Sequence, residues 1–359
     1  MMRPRSFNAN PSADLAAHPG TRLAPGTPRT VLAALSFLLV IAGCSTVQTV
    51  RAKWHIYRGE NFIAAEQFET ALRQFEKAAE LAPQLPKTHS RMGFIYRKLG
   101  EYERAVDCFV EAIRRDPFSF DDALNLAQLY DLMERITDAI QAYLHAVHLQ
   151  PENFDAQINL GVCYQKTGEF TRAAERFNKA IEIDPDRPHA YVNLGVALEA
   201  QEKHYAAIRA YKDALERDAN QPLVLINLAY TYMKQDRLKM ARGSLEQALK
   251  LDPEFAAAHE ALGYCLFRTR DFDLAELSYQ DALARDWHLP RAHAGLGSIA
   301  MLRFLRDSTR TDLRARALEH WHRSLELDPD QPRIRDLIDK YAEPIDNPEQ
   351  ALLEGQSEH

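Results

Sequence analysis

A 34-residue repeat runs through most of this chain of 359 residues and constrains its fold more than any other feature. Eight copies begin at residues 52, 86, 120, 154, 188, 222, 256 and 290, and together they fill 52–331. The last copy carries eight extra residues within 301–316. Self-similarity at such a period indicates a solenoid, in which each repeat buries its apolar face against the next one.

Small and large side chains recur at fixed positions of the repeat. The eighth position is glycine or alanine in every copy, the twentieth is alanine, and the twenty-fourth is an aromatic residue or leucine. Proline stands at the thirty-second position in most copies, where it ends a helix. Positions 4, 7, 8 and 11 share one face of a helix, as do positions 17, 20, 24 and 27. Each copy therefore predicts two amphipathic helices whose axes approach closely at the small residues.

This pattern resembles the tetratricopeptide repeat, and the resemblance covers residues 52–331. It implies an all-α fold, a right-handed superhelix (α-solenoid) of eight helical hairpins. The first copy is the weakest match, because Arg58 replaces the usual leucine at the seventh position. Residues 332–341, PRIRDLIDKY, predict a C-terminal capping helix over the open end of the stack, and residues 342–359 predict a disordered tail.

The turn between the two helices of each copy requires a left-handed backbone conformation, which glycine adopts without strain. Gly100 and Gly168 stand at this turn in two copies. Other copies carry Glu134, Glu202, Asp236 or Arg270 there. The sequence therefore predicts that these turns are not uniformly capped by glycine.

The N-terminal segment predicts export and lipidation. Residues 31–43, VLAALSFLLVIAG, form an uncharged run that is short for a membrane span and suits the core of a signal peptide. The run ends in Ile41-Ala42-Gly43-Cys44, which resembles a bacterial lipobox. The resemblance implies a disordered N-terminus and cleaved signal peptide over 1–43, a lipid on Cys44 and a linker over 44–51. Ser45 after the cysteine implies the outer membrane, and we expect the protein on its periplasmic face.

One feature of this segment departs from the lipoprotein pattern. The polar, proline-rich stretch before the apolar run spans about 30 residues, which is longer than is typical of a signal peptide. Either translation starts downstream of Met1, or the export signal is unusual. An uncleaved anchor over residues 31–50 is the alternative interpretation.

The resemblance also implies that partners bind in a concave groove lined by the first helix of each repeat. Four consecutive copies place asparagine at the sixth position, and these residues are Asn125, Asn159, Asn193 and Asn227. Side-chain amides both donate and accept hydrogen bonds, so a ladder of them can hold an extended peptide backbone. The ladder looks like that of the O-linked N-acetylglucosamine transferases. The alternative is that asparagine is simply common at this position.

A second candidate binding surface lies in the later repeats. Its apolar and aromatic side chains fall at groove positions, and they are Leu223, Tyr230, Met233, Tyr264 and Phe267. If exposed together, they predict a patch suited to an amphipathic partner helix. The alternative is that some of them pack within the repeats.

Basic residues follow two further patterns, each with two interpretations. The thirteenth position holds Lys98, Lys166, Lys234 and Arg268, which either neutralise an acidic partner or are solvated charges. The insertion carries five arginines, Arg303, Arg306, Arg310, Arg314 and Arg316. One interpretation is that they contact anionic lipid or an acidic partner. The other is that they form the solvated face of a helix extension. The carboxylate clamp of some cochaperones is disfavoured, because the ninth position of no copy is asparagine.

Composition and motifs argue against other classes of function. The formal net charge of −7 gives no basic footprint for nucleic acid. Phosphate-binding loops, nucleophile elbows and zinc-protease motifs do not occur, and the 13 histidines are scattered. Cys108, Cys163 and Cys265 are predicted to be buried small hydrophobes. We therefore expect no catalytic residues, no metal, no cofactor and no small-molecule substrate.

The sequence thus predicts a membrane-tethered scaffold or adaptor that binds protein or peptide partners and acts in the assembly of an envelope complex. The layout resembles lipoproteins that assist secretin assembly in type IV pilus systems, although this resemblance rests on architecture alone. An accessory subunit that recruits a cell-wall or secretion enzyme is the alternative function.

Overall fold

The structure is a computed structural model that describes residues 28–342, with side chains from residue 46 onward. The predicted disordered N-terminus before residue 28, the tail from 343 and the side chain of Cys44 lie outside the described residues. Across 28–342 the chain forms 17 α-helices and no strand. The predicted all-α solenoid of helical hairpins is confirmed. Among the helices and parts of helices from residue 46 to residue 342, none is both long enough and apolar enough to cross a bilayer.

The helices follow the repeat. The first nine are α1 (Pro28–Ala64), α2 (Phe68–Leu81), α3 (Pro86–Lys98), α4 (Tyr102–Arg115), α5 (Phe120–Leu132), α6 (Ile136–Leu149), α7 (Phe154–Lys166), α8 (Phe170–Ile183) and α9 (Pro188–Ala200). The others are α10 (His204–Arg217), α11 (Pro222–Lys234), α12 (Leu238–Leu251), α13 (Ala256–Arg268), α14 (Phe272–Arg285), α15 (Pro290–Arg306), α16 (Thr311–Leu327) and α17 (Pro332–Ala342). From α3 to α14, a first helix of 13 residues alternates with a second helix of 14.

Helix α1 is the exception, with 37 residues. It runs through the predicted linker at 44–51 without a break, so that segment is helical. Residues 44–58 contain neither glycine nor proline, and nothing in their sequence interrupts a helix.

The chain divides into two compact units, one up to Ile95 and one from Tyr96 onward. In the first unit, α1 packs against α2. Their contact is close because Gly59 leaves room for the ring of Phe75: a Cβ at Gly59 would lie 2.7 Å from that ring. Ala71, Phe75 and Ala78 are fully buried at this contact.

In the second unit, each helix from α4 to α17 packs on the next one along the chain. First helices also contact each other, namely α7 with α9, α11 with α13, and α13 with α15. The first helices therefore line one side of this stack.

The alanines at the twentieth position and the aromatic rings at the twenty-fourth form the core between the two helices of each repeat. Ala173 is fully buried, and so is the ring of Phe177. A Cβ at Gly161, the eighth residue of that repeat, would lie 2.5 Å from the Phe177 ring. The small residue therefore sets the spacing of the two helices, as the sequence pattern predicts.

The turns of the seven hairpins before the last one share one backbone conformation whatever residue occupies them. Gly100 and Gly168 have φ values of 78° and 77°. Non-glycine residues at the same place have φ between 55° and 63°, and they are Glu66, Glu134, Glu202, Asp236 and Arg270. Five turns therefore hold side chains in the left-handed region that L-residues disfavour.

The last repeat absorbs its insertion by lengthening both helices. Helices α15 and α16 each have 17 residues, against 13 and 14 in the repeat before them. Helix α17 lies where the capping helix is predicted and also includes Ala342, the first residue of the predicted tail. It packs on α16 through the buried side chains of Ile338 and Tyr341, and the Tyr341 ring lies 6.1 Å from the Trp321 ring.

Candidate partner-binding groove

The four predicted ladder asparagines lie on the first helices of four successive repeats, and all are half-buried. Asn125 already accepts a hydrogen bond from Arg97 Nη1 at 3.3 Å and donates one to the Asp121 carbonyl at 2.7 Å. Asn159 hydrogen-bonds the hydroxyl of Tyr143, whose pKa is raised by burial. Internal partners therefore engage two of the four amides.

The other two amides are placed differently. The side chains of Asn193 and Asn227 make no hydrogen bond to any residue in the described part of the chain. Only this half of the ladder offers its full hydrogen-bonding capacity to a bound backbone.

The predicted apolar patch is distributed between exposed and buried positions. Leu223 and Tyr264 are exposed, at 59% and 41% of their full accessibility, whereas Tyr230 and Phe267 are half-buried. Met233 is only 2% exposed, so the alternative that some of these residues pack within the repeats holds for it, although it also borders the cavity described below. Its side chain belongs to the core formed by α11 and its neighbours, because a flexible thioether fills the gap between these helices.

A groove cavity of about 650 Å³ lies at the end of the array, and four of the five patch residues line it. Leu223 lies outside it. The other lining residues come from α11, α13, α14, α15 and the start of α17. The apolar patch of the sequence is therefore the wall of a concave site at the end of the groove.

Small residues in the last repeat create this hollow. Ala294, Gly295 and Ser298 stand at groove positions of α15 and line the cavity. At Gly295 an added Cβ would collide with the phenol ring of Tyr279, which occupies that space instead. The repeat pattern alone does not predict this hollow, because the hollow depends on the position of the Tyr279 ring in another helix.

One carboxylate lines the cavity among the described residues, and it belongs to Glu260. Glu260 is 8% exposed and makes no hydrogen bond or ion pair in the described part of the chain. Burial raises the pKa of this carboxyl, and the nearby positive charge of Arg291 partly opposes that rise. Arg291 also hydrogen-bonds the hydroxyl of Tyr230, whose pKa is raised mainly by burial.

Three basic residues at the thirteenth position link successive repeats. Lys166 Nζ lies 2.6 Å from Asp131, Lys234 Nζ lies 2.7 Å from Glu199, and Arg268 Nη2 lies 2.9 Å from Asp236. The two interpretations drawn from the sequence were that these charges neutralise an acidic partner or are solvated, and neither included ion pairs within the chain. The acidic residues that neutralise them stand about one repeat earlier in the chain.

The arginines of the insertion also have partners within the chain. Arg303 pairs with Asp273 at 2.6 Å and with Glu276, and Arg314 donates to the backbone carbonyls of Tyr341 and Ala342. The predicted helix extension is present, but these two arginines are not solvated charges, because they bind side chains of α14 and backbone carbonyls of α17.

The three cysteines within residues 46–342 are free thiols that differ in burial. Cys163 and Cys265 are buried as predicted, whereas Cys108 is half-buried, and burial raises the pKa of its thiol to about 11. No group of three or more potential metal ligands occurs among the described side chains.

Comparisons with known proteins agree with the repeat. A tetratricopeptide-repeat model matches residues 124–188, 164–222 and 226–301, and a second model of the same repeat matches 86–119. No curated protein sequence matches this chain.

Two solved structures with TM-scores above 0.5 share the fold. The C-terminal part of a tetratricopeptide-repeat protein from Cytophaga hutchinsonii aligns with a TM-score of 0.57 and 19% identity, over 67% of this chain and 99% of that one. The APC/C hetero-tetramer Cut9–Hcn1 aligns with a TM-score of 0.52 and 17% identity, over 77% and 53% of the two chains. A MamA protein aligns with a TM-score of 0.45 and 25% identity, over 47% and 93%. From its repeat models and its helical-hairpin array, the chain belongs to the tetratricopeptide-repeat family.

Proposed function

We propose that this chain is a membrane-tethered adaptor that holds protein or peptide partners in the groove formed by its first helices and performs no catalysis. The tetratricopeptide-repeat scaffold mediates protein–protein interaction. The observation that carries the proposal is the concave cavity, lined by Tyr230, Met233, Tyr264 and Phe267, at the end of the groove. Exposed apolar and aromatic side chains in a groove with a polar rim are typical of surfaces that dock a protein or peptide segment.

The tether in this proposal is a lipid on Cys44, on the periplasmic face of the outer membrane. Its support is the sequence Ile41-Ala42-Gly43-Cys44 after an uncharged apolar run. Several acyl chains on one residue give a stable membrane anchor, whereas a single chain does not.

Palmitate labelling in a bacterial host tests the tether. The wild-type chain and a Ser45→Ala control are expected to incorporate label, and Cys44→Ala is expected to lose it. Label retained by Cys44→Ala would exclude lipidation at that residue.

Affinity capture tests the groove. The tagged full-length chain is extracted in detergent, and its bound proteins are compared with those of Tyr264→Ala and Tyr205→Ala. Tyr264 lines the cavity, whereas Tyr205 is 78% exposed on α10 and does not line it. We expect Tyr264→Ala to lose the captured partner and Tyr205→Ala to retain it; equal retention by both would contradict groove binding. A captured cell-wall or secretion enzyme would favour the alternative of an enzyme-recruiting subunit.

A further inference from the structure

We infer that the cavity at the end of the groove takes an acidic peptide segment, with an apolar side chain inside the cavity and carboxylates on Arg291 and Arg333. This inference rests on the proposed groove-binding function and adds the chemistry of the partner. It follows from the walls of the cavity, from the charges at its rim and from the position of Glu260.

The walls of the cavity suit one apolar side chain. Tyr264 and Phe267 on α13 face the small residues of α15, and Ile334 of α17 lines the same cavity. The volume of about 650 Å³ is large enough for an aromatic or aliphatic side chain and part of its backbone. An aromatic ring placed there could pack edge-to-face or offset against these rings, which favours it over a polar side chain.

The charges at the rim favour an anion. Four basic side chains line the cavity, and they are Lys234, Arg268, Arg291 and Arg333. Lys234 and Arg268 are already paired with Glu199 and Asp236 of the chain itself. These two pairs leave little charge for a ligand.

Arg291 and Arg333 are the available cations. Both are exposed, and neither forms an ion pair in the described part of the chain. Arg291 hydrogen-bonds the Tyr230 hydroxyl and its charge acts on Glu260, so its remaining N–H groups and those of Arg333 are the donors left for a ligand. They stand in the first turns of α15 and α17, where the helix dipole adds positive potential. Guanidinium groups bind carboxylates through paired hydrogen bonds, so two arginines on separate helices can hold an acidic segment across the opening.

Glu260 makes the sign of the partner's charge testable. Its buried carboxylate has no hydrogen bond within the described residues and would attract a basic ligand as strongly as it repels an acidic one. If the two exposed arginines determine the partner, removal of this negative charge strengthens binding. If Glu260 determines it, the same removal weakens binding.

The test measures binding of three short fluorescent peptides to the full-length protein by anisotropy. Each peptide has a central phenylalanine, flanked by glutamates, by glutamines or by lysines. We expect the glutamate peptide to bind most tightly and Glu260→Gln to tighten it. We expect Arg291→Glu or Arg333→Glu to weaken it by about tenfold, the effect of losing one charge-assisted hydrogen bond.

The matched control is Arg306→Glu, which makes the same charge change at an exposed arginine of α15 that does not line the cavity. It is expected to leave the affinity near that of the wild type. Thermal unfolding of each variant serves as the folding control.

Three results would overturn the inference: tightest binding of the lysine peptide, weaker binding after Glu260→Gln, or equal losses in Arg333→Glu and Arg306→Glu. Capture of a native partner that depends on Tyr264 would still stand in each of these cases. Failure of the inference and failure of the proposed function are therefore separate observations.

Discussion

At Gly195 an added methyl group would lie 2.5 Å from the ring of Tyr211, which is fully buried. The ring cannot move away, so we expect Gly195→Ala to lower the free energy of unfolding by about 1–3 kcal/mol. Gly243, exposed in the middle of α12, has no atom within 4 Å of such a methyl group. There the same substitution should stabilise the helix by up to about 1 kcal/mol.

The two glycine variants thus change stability in opposite directions, which thermal unfolding of the purified variants can measure. A stabilising Gly195→Ala would show that the eighth position does not set the spacing between the helices of a repeat.

Glu202 occupies a left-handed turn with φ of 60°. That conformation costs a non-glycine residue about 1–2 kcal/mol, which glycine avoids. Glycine also loses more backbone entropy on folding, and this loss offsets part of the stabilisation. We therefore expect Glu202→Gly to stabilise the protein by about 0.5–1 kcal/mol. Glu202→Ala is the control, because it removes the same carboxylate but keeps the strained backbone. Equal unfolding temperatures for the two variants would contradict the explanation.

Helices α15 and α16 are joined by a pair of histidines, of which His293 is fully buried and His320 is half-buried. His293 Nε2 lies 3.2 Å from the carbonyl of Trp287, and the Nδ1 atoms of His293 and His320 lie 3.2 Å apart. This arrangement suits two neutral rings, with Nε2–H of His293 donating to the carbonyl and Nδ1–H of His320 donating to His293. Burial lowers the pKa of both rings below the ordinary value of 6.5.

A lowered histidine pKa gives stability that is present above the unfolded value and lost as pH falls, because the unfolded chain takes up protons first. We therefore expect the unfolding temperature of the wild type to fall between about pH 7 and about pH 5, and His320→Gln to lose less over this range. His148→Gln, at an exposed position of α6, should follow the wild type. If the unfolding temperature of His320→Gln changed with pH as that of the wild type does, the histidine pair would not be the cause of the pH dependence.

At the scale of helices, much of the structure could be predicted because the repeat determines which face of each helix is buried. The spacing of small and aromatic residues predicts the hairpins, and PRIRDLIDKY predicts α17. The pattern assigns a residue to a face but does not give the size of its neighbours in other repeats. For that reason the pattern could not show that Met233 is buried, and it did not reveal the hollow at Gly295.

The ion pairs between repeats were missed for a related reason. Lys234 and Glu199 are 35 residues apart, and only the packing of one first helix on the next brings them together. Sequence periodicity predicts that such helices are neighbours, but not which side chains reach across. The continuity of helix α1, by contrast, follows from its local sequence, which contains no helix breaker between residues 44 and 58.

For the whole molecule, the proposed adaptor separates attachment from recognition. The tether belongs to the segment around Cys44, whereas the polar amides and the cavity belong to the unit that begins at Tyr96. Within that unit, Asn193 and Asn227 can hold a peptide backbone and the cavity can hold a side chain. The groove would thus bind extended chains without regard to their sequence along Asn193 and Asn227, and would select one side chain of the partner at the cavity.

Site-specific photo-cross-linking in intact cells tests groove binding most directly. A photoreactive phenylalanine analogue replaces either Tyr264, in the cavity, or Tyr205, exposed on α10. Groove binding predicts a discrete cross-linked partner from position 264 and none from position 205. The same partner cross-linked from 205, with none from 264, would contradict it.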